Sequence, residues 1–75
     1  MVELVRYIAR SLVEKPDAVD VREVVNADSI VIELRVDADD MGKVIGKQGR
    51  IAKAIRTVVK AASVNSPKPV FVEII

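Results

Sequence analysis

The feature that most restricts the fold of this 75-residue chain is a four-residue turn, Gly46-Lys47-Gln48-Gly49, set between two stretches of helical periodicity. A connection so short holds two helices side by side, and the glycine at each end indicates how the backbone makes the bend. Gly46 suits the left-handed conformation that closes a helix, while Gly49 leaves the start of the next helix bare, so that another backbone can approach. The amides left unpaired at that helix start, with Lys47 and Arg50 beside them, form a positive corner suited to a phosphate.

The remainder of the chain reads as a scaffold for this turn. Val5, Ile8, Ala9 and Leu12 recur at helical spacing and predict a first helix over residues 2–14, which Pro16 ends. Residues 19–25 are rich in β-branched side chains and predict a strand with Val19, Val21 and Val25 inward; Glu23 interrupts that face, as a half-exposed edge tolerates. Asn26-Ala27-Asp28-Ser29 has the composition of a hairpin turn. Ile30, Ile32, Leu34 and Val36 then alternate with Glu33 and Arg35, the period of a sheet with one covered face.

Asp37, Asp39 and Asp40 stand where the next helix begins. Three such carboxylates suit a hard cation such as magnesium, but a helix cap with further acids at the positive helix end accounts for them better. A short helix follows over residues 39–45, and a longer one over 50–63. In the longer helix Ile51, Ile55, Val58 and Ala62 share one side, with Arg50, Lys53, Arg56 and Lys60 roughly opposite. Ala52 and Val59 at one margin and Ala54 and Ala61 at the other make its apolar side wider than a core alone requires. Residues 65–69 break the helix, and 70–75 read as a last strand, with no tail or second module expected after it.

A chain of this length forms one domain, residues 1–75, near the lower limit of what folds without a disulfide, metal or partner. It has no cysteine, which excludes disulfides and thiolate metal sites and suits a reducing compartment. Glu3, Arg6 and Arg10 stand where a signal peptide needs its apolar run, and no segment is long and apolar enough for a bilayer, so a cytoplasmic location with no membrane partner is expected. Net charge is +1, yet residues 41–60 carry six cations and no acid, leaving −5 for the rest. Such a block gives a directional field, which suits a nucleic-acid partner and an ordinary solvated helix face equally well. Without histidine, cysteine or a paired-acid constellation beyond the cap, the sequence argues against an enzyme and calls for no cofactor or metal.

Val44-Ile45-Gly46-Lys47-Gln48-Gly49, followed by Ile55, strongly resembles the signature of KH (K-homology) RNA-binding domains, and the element order resembles the type II, bacterial arrangement. The free-standing chain is most similar to the small bacterial single-KH proteins of the KhpA type. The resemblance implies an α+β fold of order α-β-β-α-α-β, with a three-stranded mixed sheet covered on one face by three helices. It also implies that Gly46, Lys47, Gln48 and Gly49 clamp the backbone of about four nucleotides of single-stranded RNA. Gly42, Lys43, Val44, Ile45, Arg50 and Lys53 would contribute from the flanking helices, and the strand of residues 30–36 would border the groove for the bases. A homodimer, or a heterodimer with a larger KH-containing RNA-binding protein, and a role in post-transcriptional regulation are implied as well.

The residues themselves limit how bases are held. Tyr7 and Phe71 are the only aromatics, so stacking platforms are lacking, and Val44, Ile45 and Ile51 are the aliphatic candidates, although Ile51 and Ile55 suit the interior better. An NTPase phosphate loop fails on spacing, on Gln48 in the hydroxyl position and on the missing strand before it. A helix-turn-helix DNA reader fits the two helices but neither the strand-rich frame nor the second glycine. A protein-interaction or dimerisation module with a KH shape, or a sequence-tolerant binder of single-stranded DNA, is the alternative. Salt-dependent RNA binding separates a nucleic-acid binder from a pure protein adaptor.

Overall fold

Side-chain alternation over residues 30–36 produces the strand on which the molecule is built. The computed structural model describes the backbone of residues 1–75 and every side chain except that of Lys47. Its elements run α1 (Val2–Leu12), β1 (Asp20–Val25), β2 (Ile30–Arg35), α2 (Ala38–Ile45), α3 (Arg50–Ala62) and β3 (Val70–Ile74), with short 3₁₀ turns at Pro16–Ala18 and Lys47–Gly49. This is the expected α+β order.

β2 is the central strand. It pairs antiparallel with β1, Val21 opposite Leu34 and Val25 opposite Ile30, and parallel with β3, Ile32 opposite Val72. The parallel pairing follows from chain geometry, since α2 and α3 carry the chain back across the sheet before β3 begins. The helices cover one face. Ile32, Leu34, Val21 and Val72 from the sheet meet Val5 and Ala9 of α1, Val44 of α2, and Ile55 and Val59 of α3. Ile32, Leu34, Ile55 and Val5 are completely excluded from solvent, each contributing roughly 1.5–3 kcal/mol through burial. On the open face Arg22, Glu33 and Glu73 form one row across the three strands and Val24, Val31 and Phe71 another.

Several boundaries differ from those the sequence predicts, for physical reasons. α1 stops at Leu12, two residues early, because the backbone beyond it turns to meet Asp40: the amides of Glu14 and Lys15 donate to that carboxylate at 3.1 and 3.0 Å. β1 begins at Asp20, with Val19 closing the preceding 3₁₀ turn. Val25 lies on the helical face of the sheet but past the cover of α1, and is 58% exposed. Val13 and Ile51 are half-buried residues that pack against the core from its rim.

Candidate nucleic-acid interface

α2 begins where Asp37, as N-cap, accepts a hydrogen bond from the amide of Asp39 at 2.9 Å, so one of the three acids is the expected cap. The others have different partners. Asp39 pairs with Lys15 at 2.6 Å, and Asp40, which is buried, is the acceptor for the two amides after α1. The bond to Asp39, followed by the charge of Asp37, raises the Lys15 pKa above the ordinary lysine value.

At the other end of α2 the two glycines exchange the roles that spacing suggests. Gly46 is not left-handed: its φ of −78° and ψ of −176° are extended, and its amide donates to the Gly42 carbonyl at 2.8 Å. Glycine is required there because a Cβ would lie far inside contact distance of that carbonyl oxygen. The left-handed residues are Gln48 (φ 63°, ψ 23°) and Gly49 (φ 67°, ψ 32°), and a Cβ on Gly49 would meet nothing within 4 Å. The close approach within the chain thus belongs to Gly46 and the backbone conformation to Gly49. The physical reason is that the chain leaves α2 extended and reverses two residues later. A hydrogen bond from the Gly49 amide to the Gly46 carbonyl, 2.8 Å, closes the reversal.

Two consequences bear on binding. Gln48 adopts a conformation that costs a non-glycine residue about 1–2 kcal/mol, with its side chain exposed. α3 starts from Gly49, which has no side chain to accept from the amides of its first turn. Those donors stand at the positive end of a 13-residue helix that begins with Arg50. A left-handed turn leading into an uncapped helix start is a backbone arrangement of the kind that receives anions.

The other predicted site residues divide. Ile45 is 57% exposed, Gly42 and Lys43 are exposed on the same short helix, and Lys53 is exposed on α3. Val44 is 1% exposed and lies in the core, so it is not a contact surface for a base: on an eight-residue helix it falls on the side that meets α3 and the sheet. Lys43 pairs with Glu14, which neutralises one cation of the basic block. Lys47 lies outside the described residues as far as its side chain is concerned. Gly42 is unusual. It sits inside α2, where glycine costs roughly 1 kcal/mol relative to alanine, yet a Cβ there would meet nothing within 4 Å. Nothing in the described chain requires glycine at that position.

On α3 the buried side is centred on Ala52, Ile55 and Val59, not on Val58. Val58 is 38% exposed and, with Ala54 and Ala61, leaves an apolar flank uncovered. The surplus apolar width therefore lies at the Ala54–Ala61 margin, while Ala52 and Val59 are core. Arg50, Lys53, Arg56 and Lys60 are all exposed, and none takes part in an ion pair among the described residues.

A groove of about 560 Å³ continues from this basic face along β3. Arg56 and Lys60 stand on one side, Val59 and Val72 contribute apolar surface, and Val64 and Phe71 are exposed at 77% and 56%. β3 borders this groove, and the strand of residues 30–36 is central in the sheet, with Ile32 and Leu34 beneath the helices. Sequence reasoning misses this wall because it depends on β3 joining the sheet parallel at the edge. It also places Phe71, one of two aromatics, beside a groove.

Comparison with known proteins is consistent with this geometry. The model of the family "KhpA/KhpB, KH domain" matches residues 2–74. The protein named "RNA-binding protein KhpA" from Clostridium perfringens is 65% identical over all 75 residues of both chains. The protein of that name from Caldanaerobacter subterraneus is 63% identical, again over the full length of both, and the one from Aquifex aeolicus is 47% identical over 97% of this chain and 92% of its own. Among solved structures, that of Era in complex with MgGDPNP and nucleotides 1506–1542 of 16S ribosomal RNA matches with a TM-score of 0.61. At 24% identity over 99% of this chain and 30% of Era, that likeness shows the fold alone.

Proposed function

Because this chain belongs to the KhpA/KhpB KH-domain family, we propose that it is a binding protein for single-stranded RNA that holds the nucleotide backbone at the turn of Gly46 to Gly49. The family is one of binding domains, not enzymes. One observation carries the reading: α3 begins with no side-chain cap on its first amides and carries Arg50, Lys53, Arg56 and Lys60, which have no acidic partner among the described ion pairs. A row of unpaired cations leading away from an anion-receiving backbone corner suits a chain of phosphates better than one anion. Gly42 and Ile45 supply a neighbouring surface free of charge and, at Gly42, of any side chain, where a sugar or base approaches. The groove along β3 takes bases further on, with Phe71 as its one aromatic. Duplex RNA is too wide and stiff for a turn that grips about four nucleotides.

The exposed apolar flank of α3 at Ala54, Val58 and Ala61 supports pairing of the domain with itself or with a larger partner that carries its own KH domain. Dimerisation adds to RNA binding, because two weak clamps on one strand act together. We place the activity in post-transcriptional regulation. The test is a titration with one RNA sequence presented single-stranded and as duplex, over a range of salt. Tighter binding to the single strand, weakening linearly in log salt, is expected. Equal or tighter binding to the duplex overturns the single-strand reading, and a complete lack of RNA binding leaves the protein-adaptor alternative.

A further inference from the structure

The one buried charged side chain among the described residues, Asp40, is not needed to cap α2, since Asp37 does that. Its two oxygens separately accept the amides of Glu14 at 3.1 Å and Lys15 at 3.0 Å, residues that are 26 and 25 positions earlier. A buried carboxylate satisfied in this way is seldom a gain in stability, because desolvating the charge offsets most of what the bonds return, and an apolar side chain of like size would fill the space as well. What two directional bonds supply is a fixed geometry. α2 needs it. The helix has eight residues, and its apolar anchors are two, buried Val44 and half-buried Met41. Beyond that helix the chain passes directly through Gly46 into the turn.

We infer that Asp40 is a positioning residue for the nucleic-acid site: by clamping the segment after α1 it fixes the orientation in which α2 presents Gly42, Ile45 and the turn. This inference rests on the reading of that turn as the RNA site. Lys15, paired with Asp39 at 2.6 Å, and Lys43, paired with Glu14, fasten the outer rim of the same junction.

Asp40→Asn tests it, because positioning and charge predict opposite signs. The substitution removes a negative charge from the helix that leads to the site, so by electrostatics alone RNA should bind more tightly. The same substitution turns one acceptor into a donor facing a backbone amide. α2 then loses one of its two ties, and affinity for single-stranded RNA is expected to fall by about threefold or more. The comparison variant is Val5→Ala, which empties the core beneath α1 and leaves the bonds of Asp40 in place. At a temperature where both are folded, Val5→Ala should lower the thermal midpoint at least as much yet leave RNA affinity at the parent value. Unchanged or tighter binding by Asp40→Asn overturns the inference, as does equal weakening by both variants.

Should Asp40→Asn fail to fold, amide hydrogen exchange on the parent protein decides. The Glu14 and Lys15 amides should open together with those of Val44 to Gly46, with the same protection, and independent opening of the two segments overturns the inference. If the parent binds RNA, and charge reversal in the turn abolishes binding while Asp40→Asn does not weaken it, only this inference fails. If the parent binds no RNA, the functional reading fails first.

Discussion

The turn and the basic face of α3 are adjacent, and we assign both of them to RNA, but they are built in opposite ways. The turn is a matter of backbone: extended Gly46, left-handed Gln48 and Gly49, and amides that no side chain of the cap residue covers. α3 is an ordinary amphipathic helix whose buried side, Ala52, Ile55 and Val59, holds it against the core while four cations stand in solvent. A site made of backbone conformation changes abruptly when one residue cannot adopt it. A site made of exposed charge changes by increments, and salt can substitute for mutation.

The largest effect is expected within the turn, and it separates the two glycines. Gly46→Ala places a Cβ against the Gly42 carbonyl, a backbone atom that must move, so stability should fall by roughly 1–3 kcal/mol. Gly49→Ala meets no atom within 4 Å and suffers only from its positive φ, a cost of about 1–2 kcal/mol. Denaturant unfolding of the two variants measures the difference. A greater loss at Gly49 would reverse the roles assigned to them.

Gly42→Ala should move stability and binding in opposite directions. A methyl group in open space at a helix interior raises stability by about 0.4–1 kcal/mol, while the same group intrudes where a ligand approaches α2. The expected result is a higher midpoint with weaker RNA binding. A stabilised variant that binds like the parent would show that the bare surface at Gly42 has no part in the site.

How much of the molecule was legible in the sequence depends on what each feature requires. β2 was legible because its alternation admits one face, and the end of α1 was nearly so because Pro16 limits it. The turn could be located, but the tasks of its glycines could not be distributed, since spacing fixes where two glycines fall and not whether the chain leaves α2 extended or left-handed. Asp40 was hidden for a different reason: beside Asp37 and Asp39 it looks like one more acid at a helix start, and only the tertiary return of residues 14 and 15 gives it separate work. Ile45 and Val44 are neighbours in the sequence, and helix orientation alone sends one to solvent and the other to the core.

On α3 the effects should be smaller and graded. Lys53→Ala, Arg56→Ala and Lys60→Ala should each weaken binding to all RNA sequences alike and lower the log–log salt slope by up to about one unit where that residue meets a phosphate. Unchanged slopes in all three would make this face merely solvated. The smallest effect concerns the α1–α2 junction. Because the folded-state pKa of Lys15 is raised, its contribution to stability is complete below the ordinary lysine value and is lost as pH rises through the higher folded one. Replacing Lys15 with Met should therefore reduce a decline in midpoint that the parent shows above about pH 10.4. The same decline in both proteins would remove Lys15 as its source.

The turn is proposed to hold RNA, with the fold resting on its two glycines and not on the residues between them, and the double variant Lys47→Asp, Gln48→Asp tests that most directly. It introduces two negative charges into the turn that leads into α3. The expected result is an unchanged thermal midpoint and oligomeric state with RNA binding abolished. A variant that keeps midpoint and oligomeric state and still binds RNA like the parent would contradict it.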